Sequence, residues 1–232
     1  MTEPARKITG LKVQKKNTQR VNVYLDGEFA FGLRRIVAAW LRIGQELSDE
    51  KIAQLKADDA GEEAYQRALR ALDTRPRSIA EIRQKLLEHE IPEDLVDGVI
   101  ERLKESGLLN DERFAQAWIE NRSEFRPRGR RALAYELRQR GVDAEAINVS
   151  LAELDEASLA LQAASKQARR LQDLEWPEFR LKLISFLARR GFNYEDASAA
   201  VSQVWSDLHS QAPAATLRAS PDSEIMEEDE NV

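Results

Sequence analysis

The sequence contains no cysteine and only two histidines, His89 and His209. Without cysteine the chain has no disulfides, no thiolate nucleophile and no zinc site built on sulfur. The histidines lie 120 positions apart, which argues against a histidine metal cluster or a Ser-His relay. Phosphate-binding glycine loops, zinc-hydrolase motifs and nucleophile elbows are also missing. We therefore expect no enzyme activity, no catalytic residue, no metal and no cofactor.

Long hydrophobic runs are missing too. The longest purely apolar stretch covers residues 36–41, far below the roughly 20 residues that a membrane-spanning helix requires. The first residues are followed by a polar, strand-like pattern and not by an apolar signal segment. We expect a cytoplasmic protein that contacts no membrane.

Charge is distributed unevenly along the chain. The net charge is −6, but residues 211–232 hold six acidic residues against one arginine, so residues 1–210 are close to neutral. We expect residues 210–232 to form a disordered acidic tail. Two segments are basic: residues 1–20 carry six basic residues against one acidic residue, and residues 120–140 carry seven arginines against three glutamates. Basic segments on a near-neutral body indicate local contacts with an anionic partner.

The first 58 residues have the pattern of a small α+β domain. Apolar residues alternate with period two over residues 8–31, which predicts strands, and Asp26-Gly27 is typical of a tight hairpin turn. A helical stripe follows around Val37 and Trp40. Ser48 is a predicted N-cap for a short helix that ends near Lys56, and residues 58–61 are a predicted linker.

An internal repeat covers most of the remaining chain. Pro76, Pro127 and Pro177 are separated by 51 and 50 residues, and we expect each proline in the first turn of a helix. The fold class is therefore mainly α, with three tandem three-helix repeats over residues 62–108, 109–154 and 155–208, stacked into an elongated curved body. Five apolar columns keep step across the repeats: Ile82, Leu133 and Leu183; Leu86, Leu137 and Leu187; Ile91, Val142 and Phe192; Ile100, Leu151 and Val201; Leu103, Leu154 and Val204.

Aromatic residues are interpreted as core. Phe114 and Trp118 are spaced as one helix face, which favours packing over base stacking, and we make the same prediction for Trp40, Trp176 and Trp205. Asn110 is a predicted N-cap, while Gly107, Gly141 and Gly191 are predicted to end helices with positive φ.

Arginines at residues 126–131 give the strongest functional signal. At the start of a helix these positive charges would interact unfavourably with the helix dipole. Their position therefore favours a functional contact with an anionic partner. A solvated face paired with Glu120, Glu124 and Glu136 is the alternative. The lysines near the first turn could equally protect a sheet edge. The complete set of candidate partner-binding or DNA-binding residues is Arg126, Arg128, Arg130, Arg131, Arg138, Arg75, Arg77, Lys15 and Lys16.

Three stretches resemble the RecX family of regulators of the RecA recombinase. They are Arg77-Ser78-x-x-Glu81-Ile82-x-x-Lys85-Leu86, the run Gly107-Leu-Leu-Asn-Asp-Glu-Arg-Phe-Ala115, and Arg126-x-x-Gly129 through Leu137-Arg138-x-x-Gly141-Val142. The resemblance covers about residues 60–208, and residues 8–58 look like the N-terminal extension of longer members. The third repeat is the most divergent, since Trp176-Pro-Glu178 replaces the Arg-Pro-Arg of the first two.

The resemblance implies a non-enzymatic regulator that lodges along the RecA–DNA filament. Its expected effect is to modulate, in the inhibitory direction, strand exchange, ATP hydrolysis and coprotease activity in DNA repair and the SOS response. The implied partners are a RecA-type recombinase filament and the single-stranded or duplex DNA within it. We expect a monomer, because nothing in the sequence indicates an obligate dimer interface. Two other classes stay open: a stand-alone helical-repeat protein that binds nucleic acid, and a pure protein scaffold.

Overall fold

Alternating apolar residues near the start of the chain form a small antiparallel sheet. The computed structural model describes residues 5–210. The strands are β1 (Arg6–Val13), β2 (Arg20–Leu25), β3 (Glu28–Arg34) and β4 (Glu46–Leu47), in the order β3-β2-β1-β4. Asp26 and Gly27, with φ values of 51° and 94°, join β2 to β3. The predicted hairpin turn is confirmed.

Helices make up most of the rest of the described chain. The fold class predicted from sequence, a mainly α chain with three three-helix repeats after a small α+β domain, is confirmed. Residues 5–210 contain α1 (Arg35–Ala38), α2 (Asp49–Thr74), α3 (Ile79–Leu87), α4 (Glu93–Glu105), α5 (Asp111–Phe125), α6 (Arg130–Gln139), α7 (Ala144–Leu151), α8 (Glu156–Ala168), α9 (Trp176–Arg189) and α10 (Tyr194–Ser210).

Two compact units divide the described chain. Unit 1 contains the residues up to Arg122 together with Leu133–Leu154, and unit 2 contains Ser123–Ala132 together with the residues from Asp155 onward. In unit 1, one core joins the sheet to the start of α2, a second joins α2, α3 and α4, and a third joins α5, α6 and α7. The core of unit 2 is built from α8, α9 and α10.

The apolar columns of the repeats are core positions. Ile82, Leu133 and Leu183 are all fully buried, and the Leu86, Leu137 and Leu187 column is buried as well. Ile91 and Leu154 are the half-buried members of the five columns. A column that stays buried in every copy is the mark of a true structural repeat, because each copy must hide the same helix faces from water.

Residues 58–61 are not a linker, so that prediction is wrong. They lie inside α2, which runs without a break for 26 residues. The acidic residues are tolerated in this helix because they have partners: Asp59 accepts a hydrogen bond from Arg20 at 2.9 Å and another from the Arg34 amide, and Glu62 accepts one from Arg102 at 2.7 Å. A carboxylate can be buried when hydrogen bonds or ion pairs compensate for the water it loses, whereas burial of an unpaired carboxylate is costly.

Two other expectations are corrected. Pro177 does lie in the first turn of α9, but Pro76 and Pro127 precede α3 and α6 by three residues. At α3 the reason is Ser78, whose hydroxyl accepts a hydrogen bond from the Glu81 amide and so occupies the N-cap position. Trp40 is not core, since 88% of its surface is exposed.

Candidate functional site

The loop between α5 and α6 carries the arginines that the sequence analysis singled out. Because α6 begins at Arg130, Arg126 and Arg128 lie in the loop ahead of the helix and not in its first turn, which corrects their predicted placement. Arg126 and Arg131 are exposed, whereas Arg128 and Arg130 are half-buried. All four belong to unit 2.

A close approach of two backbone segments positions this loop. The Gly129 amide donates a hydrogen bond to the Arg190 carbonyl at 3.0 Å, and a Cβ atom on Gly129 would come within 2.3 Å of the Gly191 carbonyl oxygen. The residue at 129 therefore has to be glycine. Gly191 itself has φ of +85° and ends α9 as predicted. The loop before α6 thus lies directly against the turn after α9.

This packing places Arg190 beside the loop that carries Arg126 and Arg128. Arg190 donates a hydrogen bond to the Pro127 carbonyl at 3.1 Å, which holds its side chain beside the loop. Burial, and then the positive charges of Arg128 and Arg126, lower the pKa of Arg190 below its usual value. We call Arg126, Arg128 and Arg190 the arginine cluster. Positive charges near one another repel, and a bound anion relieves that repulsion.

Arg130 has a local partner. Its amide donates a hydrogen bond to Glu156 at 3.2 Å, and its Nε lies 3.9 Å from the second oxygen of the same carboxylate. Glu156 also accepts from the Asn193 amide at 3.3 Å. Arg130 and Glu156 therefore tie the start of α6 to the third repeat, so Arg130 contributes less positive charge to a partner than its neighbours do.

Arg131 is the most available arginine of α6 within unit 2. It is exposed, and it forms no ion pair with any residue between 5 and 210. Arg138, on the part of α6 that belongs to unit 1, is likewise exposed and has no ion pair within the described residues. Since Arg138 lies in the last turn, the helix dipole stabilises it and gives it a structural role of its own.

Arg75 and Arg77 are held by unit 1. Arg75 forms a bidentate pair with Glu81 at 2.7 and 3.2 Å, and Arg77 Nε donates to the Ala71 carbonyl at 2.9 Å. Glu81 accepts a further, short hydrogen bond from Arg140. Burial on its own would raise the pKa of Glu81, but the hydrogen bonds from Arg75 and Arg140 outweigh it and hold the pKa below its usual value.

Lys15 and Lys16 belong to unit 1. Both are exposed in the loop after β1, and neither has an ion pair within residues 5–210. The edge-protection alternative fits this position, because β4 pairs with β1 only at Arg6 and Lys7 and leaves the rest of that edge uncovered.

The sequence analysis missed Arg190, which the structure places beside Arg126 and Arg128. One signal pointed to it: Arg190-Gly191 and Arg140-Gly141 occupy equivalent positions after the middle helix of successive repeats. The alternative interpretation pairs the arginines at residues 126–131 with local glutamates. Glu136, one of those glutamates, pairs at 2.8 Å with Arg122, which lies outside that group.

Comparison with known proteins decides the family. Family models match in four consecutive segments: the RecX N-terminal domain over residues 6–48, and the first, second and third three-helix domains of RecX over residues 64–103, 110–151 and 154–201. The chain belongs to the RecX family.

Curated relatives and solved structures agree with this RecX assignment. Regulatory protein RecX of Bacillus subtilis is 31% identical over 85% of this chain and 76% of its own length, and that of Clostridium perfringens strain SM101 is 32% identical over 85% and 96%. A crystal structure of regulatory protein RecX superposes with a TM-score of 0.72 at 28% identity, covering 87% of this chain and 99% of that one. These RecX relatives are named as regulators, which agrees with a non-enzymatic protein.

Two kinds of feature are absent from residues 5–210 of the RecX chain. No helix there is both long and apolar enough to cross a membrane. No group of three or more histidines and carboxylates there is arranged to hold a metal ion.

Proposed function

We propose that the protein binds the filament that a RecA-type recombinase forms on DNA and inhibits its recombinase, ATPase and coprotease activities. Membership of the RecX family supports this regulatory role. The observation that carries the proposal is the arginine cluster, in which a hydrogen bond to the Pro127 carbonyl holds Arg190 beside the loop that carries Arg126 and Arg128. The proposed regulator acts as a cytoplasmic monomer, catalyses no reaction and needs no cofactor.

DNA phosphates are the proposed ligand of the cluster. Guanidinium groups bind phosphate through paired hydrogen bonds, and an exposed side chain such as Arg126 can reach a backbone without deforming the protein. Arg131, in the first turn of the neighbouring helix and without an ion pair in the described chain, is a further proposed phosphate contact. Arg128, Arg130, Arg138, Arg75, Arg77, Lys15 and Lys16 complete the proposed set, and those with carboxylate or carbonyl partners are its weaker members.

Charge reversal of the two exposed arginines tests the proposal. We expect Arg126→Glu/Arg131→Glu to weaken binding to a recombinase filament on labelled single-stranded DNA by about tenfold or more, because two attractive contacts become repulsive. The salt dependence of binding should become shallower, by about 0.7 in log–log slope for each phosphate that is no longer neutralised. Fluorescence anisotropy at two salt concentrations measures both quantities.

A matched control carries the same change of charge elsewhere. Arg70→Glu/Arg169→Glu alters two exposed arginines outside the cluster, and we expect its filament affinity to stay within about twofold of the parent protein. Circular-dichroism melts of both variants should match the parent. Unchanged filament binding by Arg126→Glu/Arg131→Glu, with an intact fold, would overturn the proposed site.

Stand-alone binding to nucleic acid is the second candidate function. The same cluster favours it, since phosphates of bare DNA present the same chemistry as those in a filament. The two are separated by comparing affinities for bare single-stranded DNA and for the filament at the same salt. Preference for the filament supports the regulator, and equal affinity supports the alternative.

A further inference from the structure

A groove in unit 1 contains none of the arginines and lysines proposed to contact the filament. Its volume is about 530 Å³, and its walls come from α1 with the turn that follows, from the middle of α2 and from α4. Ile36, Val37 and Trp40 form one side, and Val99 lies on the opposite side. The arginine cluster belongs to unit 2, so the two surfaces are built from different residues.

Trp40 is the most exposed large apolar residue of the groove. It exposes 88% of its surface and Ile36 exposes 60%, and neither belongs to the buried core that joins the sheet to α2. Exposed tryptophan is costly in water and is among the residues that contribute most to protein–protein binding. Trp40 therefore has the features of an anchor for a partner.

Two glycines lie in the same groove, one on α2 and one on α4. Gly61 is in the interior of α2 and Gly98 in the interior of α4, and they are the only helix-interior glycines within residues 5–210. Each costs helix stability, about 1 kcal/mol relative to alanine. Neither has a positive φ, and a Cβ atom on either would meet nothing within 4 Å. The fold itself gives no reason for glycine at these positions.

Close approach by another molecule does give a reason. A missing side chain on each of two neighbouring helices lets a third helix pack nearer to their backbones, because the distance between helix axes depends on the side chains at the contact. A helix lying in an apolar groove is a common mode of peptide recognition. The placement of Gly61 and Gly98 on two helices of the groove suits an occupant of that shape.

The rim of the groove is acidic. Asp58 and Asp94 line it and form no ion pair within the described chain, whereas Glu62 is neutralised by Arg102 at 2.7 Å. Asp58 accepts a hydrogen bond from the neutral Gln54 amide, at 2.7 Å. This charge repels phosphates and acidic peptides and attracts lysine or arginine.

We propose that this groove docks a helix of a partner protein that has an apolar stripe flanked by lysines or arginines. Its apolar stripe contacts Trp40 and Ile36, its backbone approaches Gly61 and Gly98, and its basic side chains pair with Asp58 and Asp94. The proposal does not rest on the arginine cluster, and its failure would leave the proposed filament contact untouched.

A pair of synthetic peptides tests this directly. Both are labelled helices of about 16 residues with leucines at i, i+3, i+4 and i+7, and one carries lysine where the other carries glutamate. We expect the lysine peptide to bind the full chain about tenfold or more tighter than the glutamate peptide in fluorescence anisotropy. Asp58→Lys/Asp94→Lys should reverse that order of affinity.

Opposite effects on binding and stability make the test specific. Gly61→Ala/Gly98→Ala should raise the melting temperature of the protein, because alanine favours helix. The same variant should nevertheless bind the lysine peptide severalfold more weakly. Trp40→Ala should weaken binding of the lysine peptide about tenfold or more. Tyr135→Ala, which removes another exposed aromatic residue, should leave that binding unchanged. Failure of the lysine peptide to bind at about 1 mM, or equal binding by all variants, would overturn the proposal.

Discussion

Glu81 forms ion pairs that link the first and second repeats. It accepts hydrogen bonds from Arg75 of one repeat and Arg140 of the next, and only 15% of its side chain is exposed. Nearby, the Ser78 hydroxyl donates to the Arg140 carbonyl at 2.5 Å. A partly buried carboxylate with two guanidinium partners stabilises the fold only while it is ionised.

Replacing Glu81 with glutamine should make stability less dependent on pH. Because the pKa of Glu81 is lowered in the folded protein, its contribution is complete above the unfolded pKa and disappears as the pH falls through the folded value. We expect Glu81→Gln to reduce the free energy of unfolding by about 1–2 kcal/mol at pH 7. That difference should shrink as the pH falls below about 4.3, the ordinary pKa of glutamate, in urea titrations.

Asp111→Asn is the matched control for this carboxylate. Burial, and to a lesser degree Asp143 and Glu81, raise the pKa of Asp111, although the Ile79 amide opposes the shift through a hydrogen bond at 2.9 Å. Asparagine keeps an acceptor for that amide and removes the repelled charge. We expect it to be neutral or stabilising at pH 7, and a Glu81→Gln effect that is constant across the pH range would contradict the charged role of Glu81.

At the scale of elements, glycines determine where helices of successive repeats touch. Gly141 ends α6 with φ of +73°, and a Cβ atom there would lie 2.3 Å from the Ala80 Cβ atom at the start of α3. Gly61, inside α2, has open space around it. The same substitution at these two positions should therefore have opposite effects.

Gly141→Ala should lower the free energy of unfolding by about 2 kcal/mol or more, since it combines a left-handed backbone with a steric clash. Gly61→Ala should raise it by about 0.5–1 kcal/mol through helix propensity and reduced freedom of the unfolded chain. Chemical denaturation followed by circular dichroism measures both. A stabilised Gly141→Ala variant would show that α3 and the end of α6 are not packed as described.

Sequence patterns predicted elements where a local rule decides the structure. The predicted caps at Ser48 and Asn110 are confirmed, because their side-chain oxygens accept hydrogen bonds from the Lys51 and Arg113 amides. Gly107 has φ of +68°, as expected. The break at residues 58–61 was predicted wrongly because Asp59 has a distant partner, Arg20, that the local pattern does not reveal. Trp40 was predicted wrongly because periodicity alone does not show whether a helix face is covered.

At the scale of the whole molecule, the sequence alone predicted the repeat and the family. It predicted two members of the arginine cluster but not the third. Arg126 and Arg128 are close in sequence, whereas Arg190 joins them through the contact of Gly129 with the turn at Gly191. No local rule predicts such a contact between repeats. The predicted repeat boundaries stay a prediction. Ser210, the first residue of the predicted acidic tail, is the last residue of α10, and the rest of that tail lies outside the described residues.

The central claim is that an arginine-dependent contact with a recombinase filament regulates the filament. The most direct test is single-strand-DNA-dependent ATP hydrolysis by a RecA-type recombinase at fixed salt, with this protein added at ratios too low to mask the DNA. We predict that hydrolysis falls with the parent protein and with Arg70→Glu/Arg169→Glu, and is largely retained with Arg126→Glu/Arg131→Glu. Unchanged hydrolysis with the parent protein, together with tight binding to bare DNA, would contradict the claim.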